Sequence, residues 1–334
     1  MQDKLNINLF YEEPESDRWF KYDRYLRKII RRIWRGPDAI GGMKRWFVNL
    51  CLGLDELGIK YTVNNYSLLK RDSSQWALVI GKPHVIEKIP NHTNVIYGPA
   101  ISSHPSETNV WTRKKIKTII ASCDWLKKVY EKDLNIDIPV TVWPSGIETQ
   151  KWLPNPKTSN TKKILIYDKI RWDYDRYHHE LISPILSHLE ERNISYEYIR
   201  YGFYKEEDFH TLLTQVDAMI FLCEHETQGF AYLQTLSSDI PIFAWDRGGY
   251  WQDPSFYPDR VKFKDVTSVP YWDDRCGHKF KNLTEFSNYL DIFWAKVQNN
   301  EYQPRDYILE NLTLQKCAQK YIAIYKSMID QHHG

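Results

Sequence analysis

The sequence contains two successive series of short apolar segments alternating with amphipathic ones, separated by a single polar, proline-containing stretch. That stretch is residues 153–163, LPNPKTSNTKK, which has the composition of a linker. Strands that alternate with helices form parallel sheets, and 334 residues are enough for two domains. The pattern predicts an α/β protein with two doubly wound domains and a ligand cleft at the carboxyl ends of the strands.

The first series begins with an alternating segment and then a strong helix. The helix follows Gly41-Gly42, repeats apolar residues at helical spacing and stops at Gly58. The predicted strands of this series are residues 6–11, 60–64, 76–80, 94–97, 117–121 and 140–143. A further helix is expected to start near Ser122.

The second series begins after the linker. Its predicted strands are residues 163–167, 195–201, 218–223 and 240–245, and its predicted helices are residues 178–192 and 206–216. The tail, residues 313–328, is amphipathic over its whole length and predicts a closing helix.

Composition narrows the class of protein. The net charge of +2 says little about partners. The sequence has one basic run, in an insert near its start, and because no other basic run accompanies it, nucleic-acid binding is not favoured. Five cysteines, an odd number with no CxxC pair, predict reduced thiols and a cytoplasmic protein without a zinc site. No apolar run is long enough to predict a signal peptide or a membrane span.

Residues 223–249, CEHETQGFAYLQTLSSDIPIFAWDRGG, carry the chemistry. A buried strand leads into a polar turn that holds Glu226, with Gly229 close behind and Gln234 on the helix that follows. An acidic side chain can hold the hydroxyls of a sugar, and free N–H groups at a helix N-terminus can bind its phosphate. A glycine lets the backbone approach that phosphate closely.

This stretch resembles the donor-sugar motif of retaining GT-B glycosyltransferases of the family 4 type. Asp217, Glu226 and Pro241 stand where that family has its aspartate, its first glutamate and its proline. Residues 119–130, residues 141–152 and the tail from residue 304 resemble further blocks of the family in the same order. The likeness covers roughly residues 40–60 and 117–330. The chain departs from the pattern at Leu222-Cys223, which replaces Pro-Ser, at Gln234, which replaces the second glutamate, and at Asp239, which replaces a glycine.

The resemblance implies a GT-B fold, with two Rossmann-like domains facing a central cleft. Residues 1–152 would form the acceptor-side domain and residues 153–312 the nucleotide-sugar domain, with the helix 313–330 packing back on the first. It also implies a hexosyltransferase-type enzyme (EC 2.4) that transfers a sugar with retention from a nucleotide-diphosphate sugar. The acceptor would be a glycan or lipid-linked glycan in polysaccharide or glycoconjugate biosynthesis. No cofactor is expected, and the resemblance implies a metal-independent site whose countercharges are Lys and Arg side chains.

The resemblance also assigns roles in the donor site. Glu226 would hold the sugar hydroxyls, and Gln234 would bond the ribose without a charge. The backbone around Thr227, Gln228, Gly229 and Phe230 would meet the phosphate or the sugar. The alternative for Glu226 is a helix cap.

Cations are expected beside the diphosphate, because negative charge builds on the leaving group. Lys169 occupies the first family position, whereas Tyr174 stands in place of the second lysine, so Arg171 or Arg176 must substitute. Lys169 could instead be a solvated lysine at the end of a strand.

Two further assignments fall in the first domain. Gly41-Gly42 would face the donor phosphates and the acceptor, or would simply form a tight turn. His104 would lie near the reacting carbon and donate a hydrogen bond there, or would be a structural loop histidine.

A basic amphipathic insert, residues 24–35, precedes the first helix. Its basic face suits an anionic membrane surface and a lipid-linked acceptor, which predicts peripheral association with the inner membrane face. The alternative is a core helix with a solvated basic face. The residues assigned to the membrane or acceptor are Arg27, Lys28, Arg31, Arg32 and Trp34.

Two rival functions stay open at this point. One is an enzyme of the same fold with another reaction, epimerisation or phosphorolysis. The other is a non-catalytic GT-B module that binds glycan or protein partners, and the departures at Tyr174 and Gln234 keep it open.

Overall fold

The computed structural model describes residues 6–13, 41–154 and 162–333. The predicted basic helix, with Arg27, Lys28, Arg31, Arg32 and Trp34, lies outside the described residues, as does most of the predicted linker. Within the described part, the chain divides into two compact units.

The first unit comprises the described residues up to Ser122, Lys127–Trp143 and the described residues from Ala318 onward. Its sheet has six parallel strands in the order β2-β1-β3-β4-β5-β6. The elements are β1 (Ile7–Phe10), α1 (Gly42–Glu56), β2 (Tyr61–Val63), α2 (Tyr66–Arg71), β3 (Ala77–Val79), α3 (Pro83–Ile86), β4 (Val95–Tyr97), a 3₁₀ turn (Pro105–Glu107), α4 (Val110–Arg113), β5 (Ile116–Ala121), α5 (Asp124–Asp133) and β6 (Val140–Val142).

The second unit comprises Cys123–Leu126 and the described residues of Pro144–Cys317. Its sheet has five parallel strands in the order β11-β10-β9-β7-β8. The elements are β7 (Lys163–Asp168), α6 (Tyr174–Tyr177), a π-helical segment (His178–Ile182), α7 (Ser183–Glu191), β8 (Ser195–Arg200), α8 (Glu206–Leu213), β9 (Ala218–Leu222), α9 (Phe230–Ser237), β10 (Ile242–Trp245), a 3₁₀ turn (Asp274–Cys276), β11 (Gly277–Phe280), α10 (Leu283–Gln298), α11 (Pro304–Asn311) and α12 (Leu314–His333).

The observed strands match the predicted alternation closely, but several elements were not predicted. The edge strand β11 was missed because GHKF at 277–280 contains a single apolar side chain at its end. The helices α2, α3, α4, α6, α10 and α11 were not predicted either. The predicted helix 178–192 is interrupted by the π-helical segment that precedes Ser183. Pro184 lies in the first turn of α7, and because it has no N–H it cannot continue a regular helical ladder from the preceding turn.

Residues 144–152 group with the second unit, whereas the sequence placed them in the first. Ile147 pairs with Thr313 in an isolated parallel bridge, and Trp152 is buried in the core that also holds Phe209. A Cβ at Gly146 would lie 2.6 Å from the Cα of Leu314, so only glycine permits this approach.

The closing helix α12 contributes to both cores. Leu314 and Cys317, at its start, are buried with the second unit. Tyr321 packs edge-on against Trp143 at 4.9 Å between ring centroids, and Tyr325 donates to the Asn6 carbonyl at 3.0 Å. Most of this helix therefore completes the core of the first unit.

None of the helices in the described ranges has the length and apolar character needed to span a bilayer. All five cysteines are free thiols, and four of them are buried.

Candidate functional site

Three central strands of the second sheet end side by side. Asp168 of β7 is in register with Leu222 of β9, which is in register with Trp245 of β10. The residues that follow, Lys169 and Cys223 among them, therefore leave the same edge of the sheet together. Ligands of open parallel sheets bind at this carboxyl edge, so it is the candidate site.

Lys169 and Glu226 form an ion pair at this edge, between Nζ and Oε1. The Lys169 N–H donates to the Leu222 carbonyl at 2.7 Å, and the Glu226 N–H donates to the Thr267 carbonyl at 2.9 Å, which fixes both backbones. Their side chains are only 15% and 9% exposed, so the pair lies largely out of water. The ring of Tyr201 lies 4.5 Å from the Lys169 ammonium and stabilises its charge further.

Burial alone would lower the pKa of Lys169, but the negative charge of Glu226 and the hydrogen bond to it outweigh burial and raise the pKa. Lys169 is therefore a protonated cation at neutral pH. An ammonium held in a dry site can stabilise negative charge that appears beside it.

Arg171 is the second cation at this edge, and Glu224 holds the turn that carries it. One Glu224 oxygen accepts the backbone N–H groups of Arg171 at 2.8 Å and Trp172 at 2.9 Å. The other oxygen has no hydrogen-bond partner and lies 3.8 Å from the Arg171 Nε. Burial would lower the pKa of Arg171, but the negative charges of Glu226, Glu224 and Asp253 raise it.

His225 contacts the Arg171 guanidinium with two of its atoms. Arg171 Nη2 lies 3.1 Å from the His225 carbonyl oxygen and 3.3 Å from Nδ1. The ring is 4% exposed and is surrounded by Trp125, Trp172 and Trp251, at centroid distances of 5.4, 5.1 and 6.4 Å. Burial lowers the pKa of His225 well below its usual range, and nearby Arg171, Arg247 and Lys169 act in the same direction. The imidazole is therefore neutral.

Asp168 organises the neighbouring turn from inside the sheet. It is fully buried, and it accepts the Ile170 N–H at 2.9 Å and the Tyr198 hydroxyl at 2.6 Å. Arg200, in register with Asp168 on β8, lies 3.7 Å from the carboxylate and stacks over the Tyr174 ring at 3.6 Å. Tyr174 stands at the position of the family's second lysine. Its ring stacks against the guanidinium of Arg200, which comes from β8.

The N-terminus of α9 follows Glu226 directly. Gly229 has φ 72°, and a Cβ there would lie 2.1 Å from the Tyr232 ring, so both backbone and packing require glycine. No side chain caps this helix, and its first turn carries no acid. First-turn N–H groups and the positive end of the helix dipole are the features of a helix N-terminus that bind anions.

The other predicted donor-site residues near α9 occupy different environments. The Gln228 amide exchanges hydrogen bonds with the Ser145 backbone, at 3.0 and 3.2 Å, so its side chain ties the segment after β6 to this turn. Thr227 is half-buried, and Phe230 packs partly against the core at the first position of α9. Gln234 lies in the second turn of α9 and is 6% exposed.

Arg176 is placed apart from these residues. It pairs with Asp173 at 2.5 Å and with Glu180 at 3.5 Å, lies over the Tyr177 ring, and is 44% exposed. These contacts hold it on the surface of α6, so of the two arginines proposed from the sequence the structure brings only Arg171 to the Lys169–Glu226 pair.

His104 and the Gly41-Gly42 pair belong to the first unit. His104 caps the 3₁₀ turn: its Nδ1 accepts the Ser106 N–H at 3.2 Å, and its Nε2 lies 3.0 Å from Asp133 Oδ2. Gly41 precedes α1, whose N-terminus has no side-chain cap, and a Cβ at either glycine would meet nothing within 4 Å. Their predicted functional roles stay predictions.

Several site residues were not found from the sequence. Glu224 and His225 sit in the same CEHET turn as Glu226, but nothing local indicates which of these side chains turns inward. Trp125 donates to the Glu226 carbonyl at 2.7 Å from a helix 101 residues earlier in the chain, a contact that no local pattern encodes. Among the described residues, no group of three or more His, Cys, Asp or Glu side chains is arranged to hold a metal ion.

Comparison with known proteins gives matches at the level of structure alone. No protein-family model matches the chain, and no curated protein matches it in sequence. The structure of the apo lipopolysaccharide outer core galactosyltransferase WaaB superposes with a TM-score of 0.55 at 12% identity, over 97% of this chain and 100% of WaaB. TarM superposes with a TM-score of 0.51 at 14% identity, over 78% of this chain.

The match to TarM covers 57% of the length of TarM, so the chain spans little more than half of that relative. At these identities, the likeness concerns fold. Two parallel-sheet α/β units and these structural neighbours confirm the predicted fold class: the chain has the GT-B fold.

Proposed function

We propose that this protein is a glycosyltransferase that moves a hexosyl group from a nucleotide-diphosphate sugar to a glycan, with retention of configuration. The observation that carries the proposal is the buried Lys169–Glu226 pair, with Arg171 beside it, at the carboxyl edge of the second sheet. A sugar diphosphate combines neighbouring hydroxyls with a dianionic leaving group. A carboxylate next to two cations is complementary to both parts.

Lys169 and Arg171 are assigned to the diphosphate. Both carry a raised pKa and stay protonated at neutral pH. As the bond between the sugar and the phosphate breaks, negative charge grows on the leaving oxygen, and two fixed cations stabilise it. These side chains supply the countercharge that a metal ion supplies elsewhere, so we propose a metal-independent reaction.

Glu226 is assigned to the sugar. Its carboxylate accepts hydrogen bonds from sugar hydroxyls, and each such bond to a charged group contributes about 1.5–3 kcal/mol. In the absence of donor, the Lys169 ammonium pairs with the Glu226 carboxylate. When the donor binds, the same ammonium would contact both this carboxylate and a phosphate oxygen. The ion pair thereby holds the Glu226 carboxylate at the site before the donor arrives.

The N-terminus of α9 completes the donor site. Its first turn, which no side chain caps, would bind a phosphate or sugar oxygen. Gln234 is assigned to the ribose hydroxyls as a neutral hydrogen-bonding group.

Retention follows from a reaction on one face of the sugar. The bond between the anomeric carbon and the phosphate oxygen breaks, and the acceptor hydroxyl attacks from the same side. A leaving phosphate oxygen takes the proton of that hydroxyl. No side-chain nucleophile enters this scheme, so none is assigned.

The acceptor is proposed to be a glycan or lipid-linked glycan in polysaccharide or glycoconjugate synthesis, at the cytoplasmic face of a membrane. WaaB, which shares the fold, is by its name a galactosyltransferase of the lipopolysaccharide outer core. The basic insert at residues 24–35 suits an anionic membrane surface by its composition.

A thermal-shift screen with UDP, GDP, dTDP, ADP and CMP, with and without a divalent metal, tests the donor assignment. One nucleoside diphosphate should raise the midpoint of unfolding in the absence of metal, and Arg171→Met should reduce that shift. If no nucleotide stabilises the wild-type protein, the donor assignment is wrong and the non-catalytic binding module becomes the better account.

A further inference from the structure

The contacts around His225 are more specific than core packing requires. An arginine can only donate hydrogen bonds, so the 3.3 Å contact with Arg171 Nη2 makes His225 Nδ1 an acceptor. The neutral ring must then carry its hydrogen on Nε2. The His225 carbonyl accepts from the same Arg171 nitrogen at 3.1 Å, so one residue holds that nitrogen with two acceptors.

The surroundings of His225 fix its orientation. Trp125, Trp172 and Trp251 pack around the ring, and the Cys223 thiol donates to the His225 carbonyl at 3.2 Å. Rotation of the imidazole would therefore displace large aromatic rings. An acceptor fixed in this way restricts the guanidinium to one direction.

The charged groups around the ring come from three segments. Arg171 and Lys169 follow β7, Arg247 follows β10, and Glu224 and Glu226 flank His225 on its own turn. Three cations near the ring oppose a second proton on it. A proton at Nδ1 would also place an N–H against the donors of Arg171, so the contact exists only with the neutral ring.

From these contacts we infer that His225 is a positioning residue that aims the Arg171 guanidinium at the diphosphate of the donor. This rests on the proposed function for the identity of the ligand, but the histidine–arginine contact does not depend on it. The inference explains why a buried neutral imidazole lies next to three cations and accepts from one of them.

Two substitutions separate positioning from packing. His225→Phe keeps an aromatic ring among the three tryptophans and removes the acceptor. His225→Asn places an amide oxygen near the position of Nδ1 and keeps the acceptor. His278→Phe is the matched control, because His278 is a half-buried histidine of β11 whose ring contacts are Phe243 and Tyr289.

Calorimetric titration with inorganic pyrophosphate, which carries no base or sugar, measures the effect on the cation site. His225→Phe should weaken binding about tenfold, the equivalent of one hydrogen bond to a charged group, and His225→Asn should recover most of it. In a donor assay, the loss should appear in KM at neutral pH, with the midpoint of unfolding unchanged. Equal binding by His225→Phe and wild type would overturn the inference, and so would an Asn variant no better than the Phe variant.

Nuclear magnetic resonance of ¹⁵N-labelled histidine tests the contact without any ligand. The His225 ring should show its hydrogen on Nε2 and an accepting Nδ1, and Arg171→Met should shift the Nδ1 resonance. A ring protonated on Nδ1, or one insensitive to Arg171→Met, would contradict the inference. Failure of pyrophosphate to bind the wild type, with the expected ring signals present, would instead count against the proposed function.

Discussion

Two buried histidines, His104 in the first unit and His225 in the second, have opposite surroundings. The His104 ring nitrogens contact Ser106 and Asp133, residues of its own loop and a nearby helix, and the ring caps a 3₁₀ turn. His225 accepts from an arginine, and its Nε2 is buried without a hydrogen-bond partner. The first set of contacts stabilises a loop, whereas the second holds a cation at the edge of a sheet.

The difference extends beyond the two rings. Around His225, one edge of the sheet gathers Lys169, Arg171, Glu224 and Glu226. The two carboxylates are buried, the Lys169 side chain is 15% exposed and the Arg171 side chain is 36% exposed. Buried charges cost free energy unless they are paired, and clustered charges with perturbed pKa values mark functional sites more often than structural ones. The contrast supports the proposal that function lies at the edge of the second sheet, and it predicts where substitutions affect activity and where they affect stability.

The largest expected effect is on catalysis at Glu226. Glu226→Ala removes the carboxylate assigned to the sugar hydroxyls and should lower kcat/KM by at least about a hundredfold. Glu180→Ala, which removes a surface partner of Arg176, is the control and should leave the rate unchanged. Near-full activity of the Glu226 variant in a donor transfer assay would remove this residue from the site.

Gly229→Ala tests the backbone that follows Glu226. Positive φ and the Tyr232 ring both oppose a Cβ there, so the free energy of unfolding should fall by about 2–3 kcal/mol. Gly202→Ala, at φ 87° but with open space around it, should cost only about 1 kcal/mol. Denaturant titration of both variants measures the difference, and equal losses would show that the ring contact has no cost.

Substitutions of Arg171 and Arg176 compare a cation of the candidate site with a cation of the surface. Arg171→Met should weaken binding of the stabilising nucleoside diphosphate by about tenfold or more, since the charge beside the phosphate is lost. Arg176→Met should leave the affinity unchanged, because Arg176 pairs with Asp173 and Glu180 on the surface. Equal losses in a calorimetric titration would mean that both arginines reach the ligand.

Acid should destabilise the second unit through His225. Its pKa is lowered by folding, so the unfolded chain binds the proton more tightly, and stability present above about pH 6.5 is lost as the pH falls. Below about pH 6.5, the free energy of unfolding should fall with a slope that approaches about 1.4 kcal/mol per pH unit. Urea titrations from pH 7.5 to 5.5 should show a shallower slope for His225→Asn than for wild type. Identical slopes would contradict the burial of a neutral imidazole.

His104→Ala gives the smallest expected effect. Loss of the cap should lower the free energy of unfolding by about 1 kcal/mol and leave kcat/KM unchanged. A fall in rate with an unchanged midpoint of unfolding would instead support the predicted active-site role of His104.

Much of this architecture follows from the sequence. Apolar runs of four to six residues separated by amphipathic segments predicted most of the strands, and the resemblance to the glycosyltransferase family selected Glu226, Lys169 and Gly229 as candidates. Each of these features is local. A residue that directly follows a parallel strand lies at the carboxyl edge of the sheet, whatever the rest of the chain does.

The remaining features depend on contacts between distant segments. The Gln228 amide bonds the Ser145 backbone, and Arg305 donates to the Trp152 carbonyl at 2.9 Å, so residues 144–152 join the second unit although their sequence resembles the end of the first. The choice between Arg171 and Arg176 depends on which of the two meets His225. Neither outcome is encoded by periodicity or by residue type.

The most direct test of the proposed donor site is a crystal structure with the nucleoside diphosphate that stabilises the protein. We expect phosphate oxygens within hydrogen-bonding distance of Lys169 Nζ and the Arg171 guanidinium, at the N-terminus of α9. A nucleotide bound elsewhere, with the Lys169–Glu226 pair untouched, would contradict it.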